Sequence, residues 1–258
     1  MTRSKSLVQL NPWQELRAYT RARIALGRVG SSLPTAEVLR FGLEHAQARD
    51  AVHRALDFTA LQNELAAGNF RTLRVRSEVP DRHTYLVRPD LGRQLHEEDR
   101  LHLQNEPIKP QLVVVIADGL SSIAAQRHAI PVVRLLREQL GADWRDTPIV
   151  LAEQGRVAIG DDIGEALQAE LVVVMIGERP GLTSPDSLGI YLTFHPRVGC
   201  MDSERNCISN VRPEGLPYPQ AAHKLCYLMR EALRIRLTGV GLKDDSELKP
   251  SNPVIDTR

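Results

Sequence analysis

Leu171-Val-Val-Val-Met-Ile-Gly-Glu-Arg-Pro-Gly181 decides how this chain folds. Val172 to Ile176 are large, apolar and mostly β-branched, and the run stops at Gly177. A strand that is apolar on both sides has no wet face, so the run predicts a place inside a parallel sheet covered by helices. Gly177 and Pro180 end the strand where such a sheet keeps its ligand site, beyond the carboxyl ends of its strands. Glu178 and Arg179 stand at that edge. The plain alternative is a surface turn whose two charges are solvated.

Working outward, the same pattern recurs upstream. Gln111-Leu-Val-Val-Val-Ile-Ala117 predicts a buried strand, ending in Asp118-Gly119-Leu-Ser121-Ser122 before a helix over residues 123–140. Pro148-Ile-Val-Leu-Ala152 predicts another. It leads into Gly155-Arg156-Val157 and a short helix, capped by Asp161 or Asp162, that ends near Ala169. Downstream, Leu188-Gly-Ile-Tyr-Leu-Thr-Phe194 predicts a fourth strand, and Asn206-Cys207-Ile208-Ser209-Asn210 a short element, a strand end. Pro219 opens a final helix that Gly239 ends, with a frayed, charged tail after Leu242. Alternating strands and helices with short connections predict an α/β fold. Residues 111–258 are expected to form a doubly wound parallel sheet, Rossmann-like or flavodoxin-like, with right-handed crossovers.

Residues 1–110 predict an N-terminal helical and irregular extension. Asn11 and Pro12 have the form of a helix start. Thr35 is placed to cap a long helix carrying Val38, Leu39, Phe41, Leu43, Leu56, Leu61 and Leu65. Its arginines and small residues suit docking on another subunit, or a plain helix of this fold. Residues 72–79 and 84–87 read as weak strands.

Composition narrows the function. The 258 residues carry 33 basic and 32 acidic groups, a formal charge of +1, so no global attraction draws the chain to nucleic acid or to an acidic membrane. Aromatics at 4% disfavour a base-stacking surface. No apolar run approaches the length of a membrane span, and the first residues lack a signal-peptide core. The three cysteines, Cys200, Cys207 and Cys226, include no C-x-x-C pair, which argues against a disulfide framework and a structural zinc. Free thiols fit the cytoplasm. No G-x-S-x-G and no G-x-G-x-x-G after a strand is present.

In a parallel sheet, Asp118, Gly119 and Ser121, Gly155-Arg156-Val157 and Gly177-Glu178-Arg179 share one edge, and Asn206-Cys207 is expected to join them at the next strand. That edge offers backbone amides, carboxylates and guanidinium groups. Cys207 reads either as a nucleophile made reactive by Arg205 and Arg212, or as an inert small residue that packs or makes a contact.

Five stretches carry a resemblance. Thr20-Arg-Ala-Arg-Ile-Ala-Leu-Gly-Arg-Val-Gly-Ser-Ser-Leu-Pro-Thr35, Ala117-Asp-Gly-Leu-Ser121, Gly155-Arg-Val-Ala-Ile-Gly-Asp161, Ile176-Gly-Glu-Arg-Pro-Gly-Leu182 and Cys207-Ile-Ser-Asn210 occur in order. Together they resemble the small (light) subunit family of ethanolamine ammonia-lyase, from about Thr20 to about Lys243. The resemblance implies an adenosylcobalamin-dependent carbon–nitrogen lyase that turns ethanolamine into acetaldehyde and ammonia by radical chemistry. It implies a hetero-oligomer in which a large subunit holds substrate and this chain helps to bind the cofactor. Carried over by motif, the cofactor contacts fall on Val157, Glu178 and Cys207, with Arg156 beside them and Asp118 and Ser121 placed by position alone. No catalytic and no metal-ligating residue is expected on this chain. The cobalamin signature D-x-H-x-x-G is incomplete, since Asp81-Arg-His83 is followed by Leu86 where glycine is required. Some family members enter a bacterial microcompartment through a longer N-terminal extension; the segment before Trp13 is short here. A nucleotide- or flavin-binding module of flavodoxin type and a non-catalytic stabilising partner are the competing readings.

Overall fold

Three apolar runs make the centre of the sheet: β2 (Leu112–Ala117), β3 (Ile149–Glu153) and β4 (Leu171–Gly177). Every residue of β2 and β4 is buried, as a strand without a polar face requires. The computed structural model describes residues 7–141 and 144–246. Its sheet has six strands in the order β1-β3-β2-β4-β5-β6, with β1 (Thr72–Arg76), β5 (Leu188–Phe194) and β6 (Asn206–Val211) completing it. The weak strand read near residue 72 is therefore an edge strand of this sheet.

The four strands β1, β3, β2 and β4 run parallel, but β5 pairs antiparallel with β4 and β6 antiparallel with β5. The sheet is mixed, not parallel throughout. The connections explain why. A parallel return needs a crossover of a dozen or more residues, usually helical. Residues 178–187 and 195–205 contain no α-helix, so the chain turns back on itself at both places.

Helices cover the sheet on two faces. On one, α5 (Ser122–Leu140) and α7 (Tyr218–Ile235) bury Val133, Leu136, Leu225 and Leu228 against Val114, Val173, Ile190 and Ile208, and α2 (Phe58–Ala67) adds Leu61 and Leu65. On the other, α6 (Ile159–Ala166) and α4 (Glu97–Gln104) bury Ile159, Ile163 and Leu103 against Val113, Val115, Val172 and Val174. Truncating one such leucine to alanine costs about 2–5 kcal/mol.

Several local expectations give way. The long N-terminal helix is two: α1 (Thr35–His53) stops at Arg54, and Asp57 caps α2 by accepting the Ala60 N–H at 2.9 Å. Thr35 lies inside α1, behind Pro34, and caps nothing. The apolar residues Val38, Leu39, Phe41 and Leu43 of α1 are exposed rather than facing a core. Asn11 opens only a 3₁₀ turn, Gln14–Ala18, although its side chain accepts the Trp13 N–H at 2.9 Å. The strand expected at 84–87 is α3 (Arg82–Val87), because Asp81 caps it through the Thr84 N–H at 2.9 Å. α7 ends at Ile235, with Arg236 in the left-handed conformation, ahead of Gly239. Residues 243–246 are tethered by Lys224 to Asp244 at 2.8 Å and by His223 to the Ser246 carbonyl at 3.2 Å. The remainder of the expected frayed tail, 247–258, and the first residues read for a signal peptide, 1–6, lie outside the described residues.

Candidate functional site

Two glycines seal the ends of β2 and β4 together. Gly119 has φ +61°, and a Cβ there would stand 2.3 Å from the Gly177 carbonyl oxygen. A Cβ on Gly177 would stand 1.9 Å from the Ser121 oxygen. Only glycine lets the two loops approach this closely.

Asp118 then ties in the end of β3. Its Oδ1 accepts the N–H groups of Gly119 at 2.9 Å and Gly155 at 3.1 Å, and its Oδ2 accepts that of Gln154 at 3.2 Å. Arg82 Nη1 lies 3.5 Å from Oδ2. Burial pushes this carboxyl up to about 6, against the pull of Arg82 and the three N–H donors. Ser121 is fully buried, caps α5 and donates to the Pro185 carbonyl at 2.7 Å. Asp118 and Ser121, placed at the edge by position, hold loops together, and neither faces solvent.

Arg156 is likewise anchored. Its guanidinium lies 4.0 Å from the centre of the Tyr85 ring and donates to the Tyr85 carbonyl at 2.8 Å. Arg82 sits 4.4 Å from the same centre, and the Tyr85 hydroxyl donates to the Gly155 carbonyl at 3.0 Å. A cation over an aromatic ring is attracted by its quadrupole, more strongly when water is excluded. Tyr85 between two guanidinium groups thus stiffens the loop carrying Val157. Sequence reasoning missed both: Tyr85 fell in a segment read as a strand, and Arg82 in the incomplete cobalamin signature.

Val157 is half-buried at the entry to α6, against the apolar layer that also receives Tyr191 of β5. The helix itself is pinned. Asp161 and Asp162, expected as caps, are buried inside it and pair with Arg205 and Arg100. Burial raises the Asp161 carboxyl while Arg205 opposes the shift.

Glu178 follows β4 directly, and three donors hold its carboxylate. Ser209 Oγ reaches Oε1 at 2.6 Å, and Oε2 takes the Ser187 hydroxyl and the Asn210 N–H at 3.3 Å. A carboxylate offers about four lone-pair sites, so one acceptor site remains, on Oε1. Cys207 lies in the edge strand β6, opposite Tyr191. Side chains alternate along a strand, so Cys207 and Ser209 share the face that Ile208 does not. Ile208 joins the α5–α7 side, which leaves Tyr191, Cys207 and Ser209 on the other. Among the described residues, the apolar layer under α6 draws no residue from β6, so this face of β6 is open.

Cys207 is exposed, whereas Cys200 and Cys226 are buried. Partial desolvation beside Tyr191 comes first, then the Glu178 charge; they push the thiol above its ordinary value against the Tyr191 hydrogen bond. An activated nucleophile needs the opposite shift, so the contact reading of Cys207 gains and the nucleophile reading loses. Arg205 and Arg212, named as its activators, are themselves buried and engaged with Asp161 and Asn210.

The edge thus divides. The β2–β3–β4 part is closed by Gly119, Gly177 and Asp118, while Glu178 and Cys207, with Val157 on the same side of the sheet, border the exposed face of β6 beside the half-buried Tyr191. Ser187, Ser209 and Asn210, which hold Glu178, were not singled out from sequence. Ser209 was findable, being two residues from Cys207 in a strand. One depression elsewhere, of about 370 Å³ and lined by Ile108, Trp144, Leu171 and Leu233, lies at the opposite end of the strands.

Comparison with known proteins agrees with the ordered motifs. A family profile described as ethanolamine ammonia-lyase light chain matches residues 10–243. The chain is 58% identical over 243 residues to the ethanolamine ammonia-lyase small subunit of Azotobacter vinelandii, covering 92% of this chain and 90% of that one. It is 55% identical to the small subunit of Pseudomonas fluorescens, covering 93% and 89%, and 54% identical to that of Pseudomonas syringae pv. tomato, covering 92% and 85%. A match of this extent and identity places the chain in the light-chain, or small-subunit, family of ethanolamine ammonia-lyase.

Proposed function

We propose that this chain works as the small subunit of an adenosylcobalamin-dependent ethanolamine ammonia-lyase, and that Val157, Glu178 and Cys207 touch the cofactor while a large subunit holds ethanolamine. When bound, adenosylcobalamin supplies the radical chemistry by which ethanolamine becomes acetaldehyde and ammonia. The observation that carries the reading is the exposed face of β6 at Cys207 and Ser209, flanked by the half-buried Tyr191 of β5 and bordered by a fixed carboxylate. A corrin is broad and largely apolar, with amide groups around its rim, so it asks for a flat surface and for peripheral acceptors and donors. Val157, Tyr191 and Cys207 offer apolar contact. The remaining acceptor site of Glu178 suits an amide N–H, and Ser209 offers a hydroxyl beside it. The residues therefore fit the group.

The chain's own work is binding and placement. Glu178 arrives already oriented by Ser187, Ser209 and Asn210, so little side-chain freedom is lost when the cofactor binds. Tyr85, stacked between Arg82 and Arg156, holds the Val157 loop rigid. No histidine of this chain serves as a cobalt ligand in this reading; Asp81, which begins the incomplete signature, is occupied in capping α3.

The sheet is read as a doubly wound, Rossmann-like frame with α5 and α6 on opposite faces, extended by two antiparallel strands. The exposed apolar residues Val38, Leu39, Phe41 and Leu43 of α1 suit a chain that is covered by a larger partner. Among the described residues no helix is long and apolar enough to cross a membrane. The proposed location is the cytoplasm, with the lumen of a bacterial microcompartment as the more specific form of that proposal.

Mixing tests the reading. Ammonia release from ethanolamine is expected only when this chain, the large subunit and adenosylcobalamin are all present. Full activity without this chain, or tight flavin binding by this chain alone, contradicts it.

A further inference from the structure

Behind Glu178 lies a buried guanidinium that nothing so far explains. Arg212 is 6% exposed, at the end of β6. Its Nε donates to Asn210 Oδ1 at 2.9 Å. Its Nη1 is buried with no hydrogen-bond partner and stands 4.0 Å from Asp186 Oδ1. Burying a guanidinium costs free energy that one neutral hydrogen bond and one long ion pair offset poorly. A role in packing alone would be met by an apolar side chain of similar volume.

Of the two groups Arg212 faces, one holds Glu178 directly and the other adjoins a residue that does. Asn210 is in the left-handed conformation, φ +60°, and its backbone N–H donates to Glu178 Oε2. Its Oδ1 is the atom Arg212 holds, and its own carbonyl accepts the Leu216 N–H at 2.8 Å. Asp186 directly precedes Ser187, whose hydroxyl is the other donor to Oε2 and whose carbonyl accepts the Glu178 N–H at 2.9 Å. Asp186 is shared. Arg127 donates to its Oδ2 at 3.0 Å, and His128 Nε2 lies 3.7 Å away. Arg212 therefore bridges the strand end and the loop that grip one carboxylate oxygen from two sides.

We infer that Arg212 is a positioning residue for the cofactor contact, fixing the rotamer of Glu178 through Asn210 and the Asp186–Ser187 loop. The inference rests on the reading of Glu178 as a corrin contact. A planar guanidinium suits this task. Its Nε–H is aimed at Asn210 while its Nη1 carries the charge to within 4.0 Å of Asp186, and an ammonium does not reproduce the Nε–H direction. Supporting hydrogen bonds of this kind set the precision of a binding group.

The test uses the complex reassembled with the large subunit, reading the apparent KM for adenosylcobalamin and kcat separately. Arg212→Lys keeps the charge and loses the fork. Asn210→Gly keeps the left-handed backbone, which glycine favours, and removes only the acceptor for Arg212. Each is expected to raise the cofactor KM about tenfold with kcat changed by less than about twofold, the mark of lost binding rather than lost chemistry. Combined with Glu178→Gln, neither is expected to raise KM further, because all three act on one contact. If Glu178→Gln raises KM but the other two do not, or if their effects add in full, the positioning role is overturned while the Glu178 reading stands. If Glu178→Gln itself leaves KM unchanged, that reading fails and the inference fails with it. Loss of assembly in both Arg212→Lys and Asn210→Gly makes the pair structural and also overturns the inference.

Discussion

Asp118 and Cys207 show how one residue's surroundings decide its behaviour. Asp118 is held at about 6 against an ordinary 3.8, chiefly by burial. The folded chain thus takes up this proton at a higher pH than the unfolded chain does. The sign follows: stability from this group is highest below about pH 4, falls as pH rises towards about 6, and is lower by roughly 3 kcal/mol above that. Asp118→Asn is expected to remove this slope in urea titrations between about pH 4 and 6. It is also expected to cost about 1–3 kcal/mol at pH 7, because its amide meets the Gln154 N–H and Arg82 donor to donor. An unchanged slope contradicts the assignment. Cys207 is the exposed one of the three thiols, with its pKa above the ordinary value. Iodoacetamide is expected to label Cys207 ahead of Cys200 and Cys226, slowly at pH 7 and faster at pH 9. In the assembled complex, adenosylcobalamin is expected to protect it. Equal labelling with and without the cofactor counts against the contact.

Elements were legible where burial is two-sided and opaque where direction matters. The runs that became β2, β3 and β4 identify themselves by having no polar face, and Ser121 and Gly141 bracket α5 as a cap and a left-handed stop. Nothing within β5 tells which way it runs, because Leu188 to Phe194 buries the same side chains in either direction. The signal lay in the connections at 178–187 and 195–205, which hold no α-helix. α1 misled for another reason. Its apolar residues fit a helical stripe, but among the described residues no layer receives Val38, Leu39, Phe41 and Leu43. Of the three proposed contact residues, Glu178 was visible as a charge ending an apolar strand. Val157 and Cys207 were visible only through the family motifs, since a valine in a loop and a cysteine in a strand carry no pattern. Glycine substitutions separate the elements. Gly177→Ala is expected to cost about 3 kcal/mol or more, since the new methyl meets backbone at 1.9 Å. Gly42→Ala, inside α1 with nothing within 4 Å, is expected to add up to about 1 kcal/mol of helix stability. Thermal melts of the two variants check both directions, and a harmless Gly177→Ala contradicts the sealed-loop geometry.

At the scale of the whole molecule, the chain is a closed sheet edge with an open flank and an unburied apolar helix. Leu39 and Leu43 lie four apart on α1, 68% and 59% exposed. Leu39→Glu with Leu43→Glu is expected to leave far-UV circular dichroism unchanged and to abolish co-purification with the large subunit; retained co-purification removes α1 from that interface. Labelling the histidines of this chain with ¹⁵N is expected to leave the cobalt resonance of the holoenzyme without a nitrogen coupling from them. The most direct measurement is the structure of the assembled complex with adenosylcobalamin bound. The account predicts corrin atoms within about 4 Å of Val157, Glu178 and Cys207, over the exposed face of β6. A cofactor enclosed by the large subunit, with those three residues facing solvent or protein alone, contradicts it.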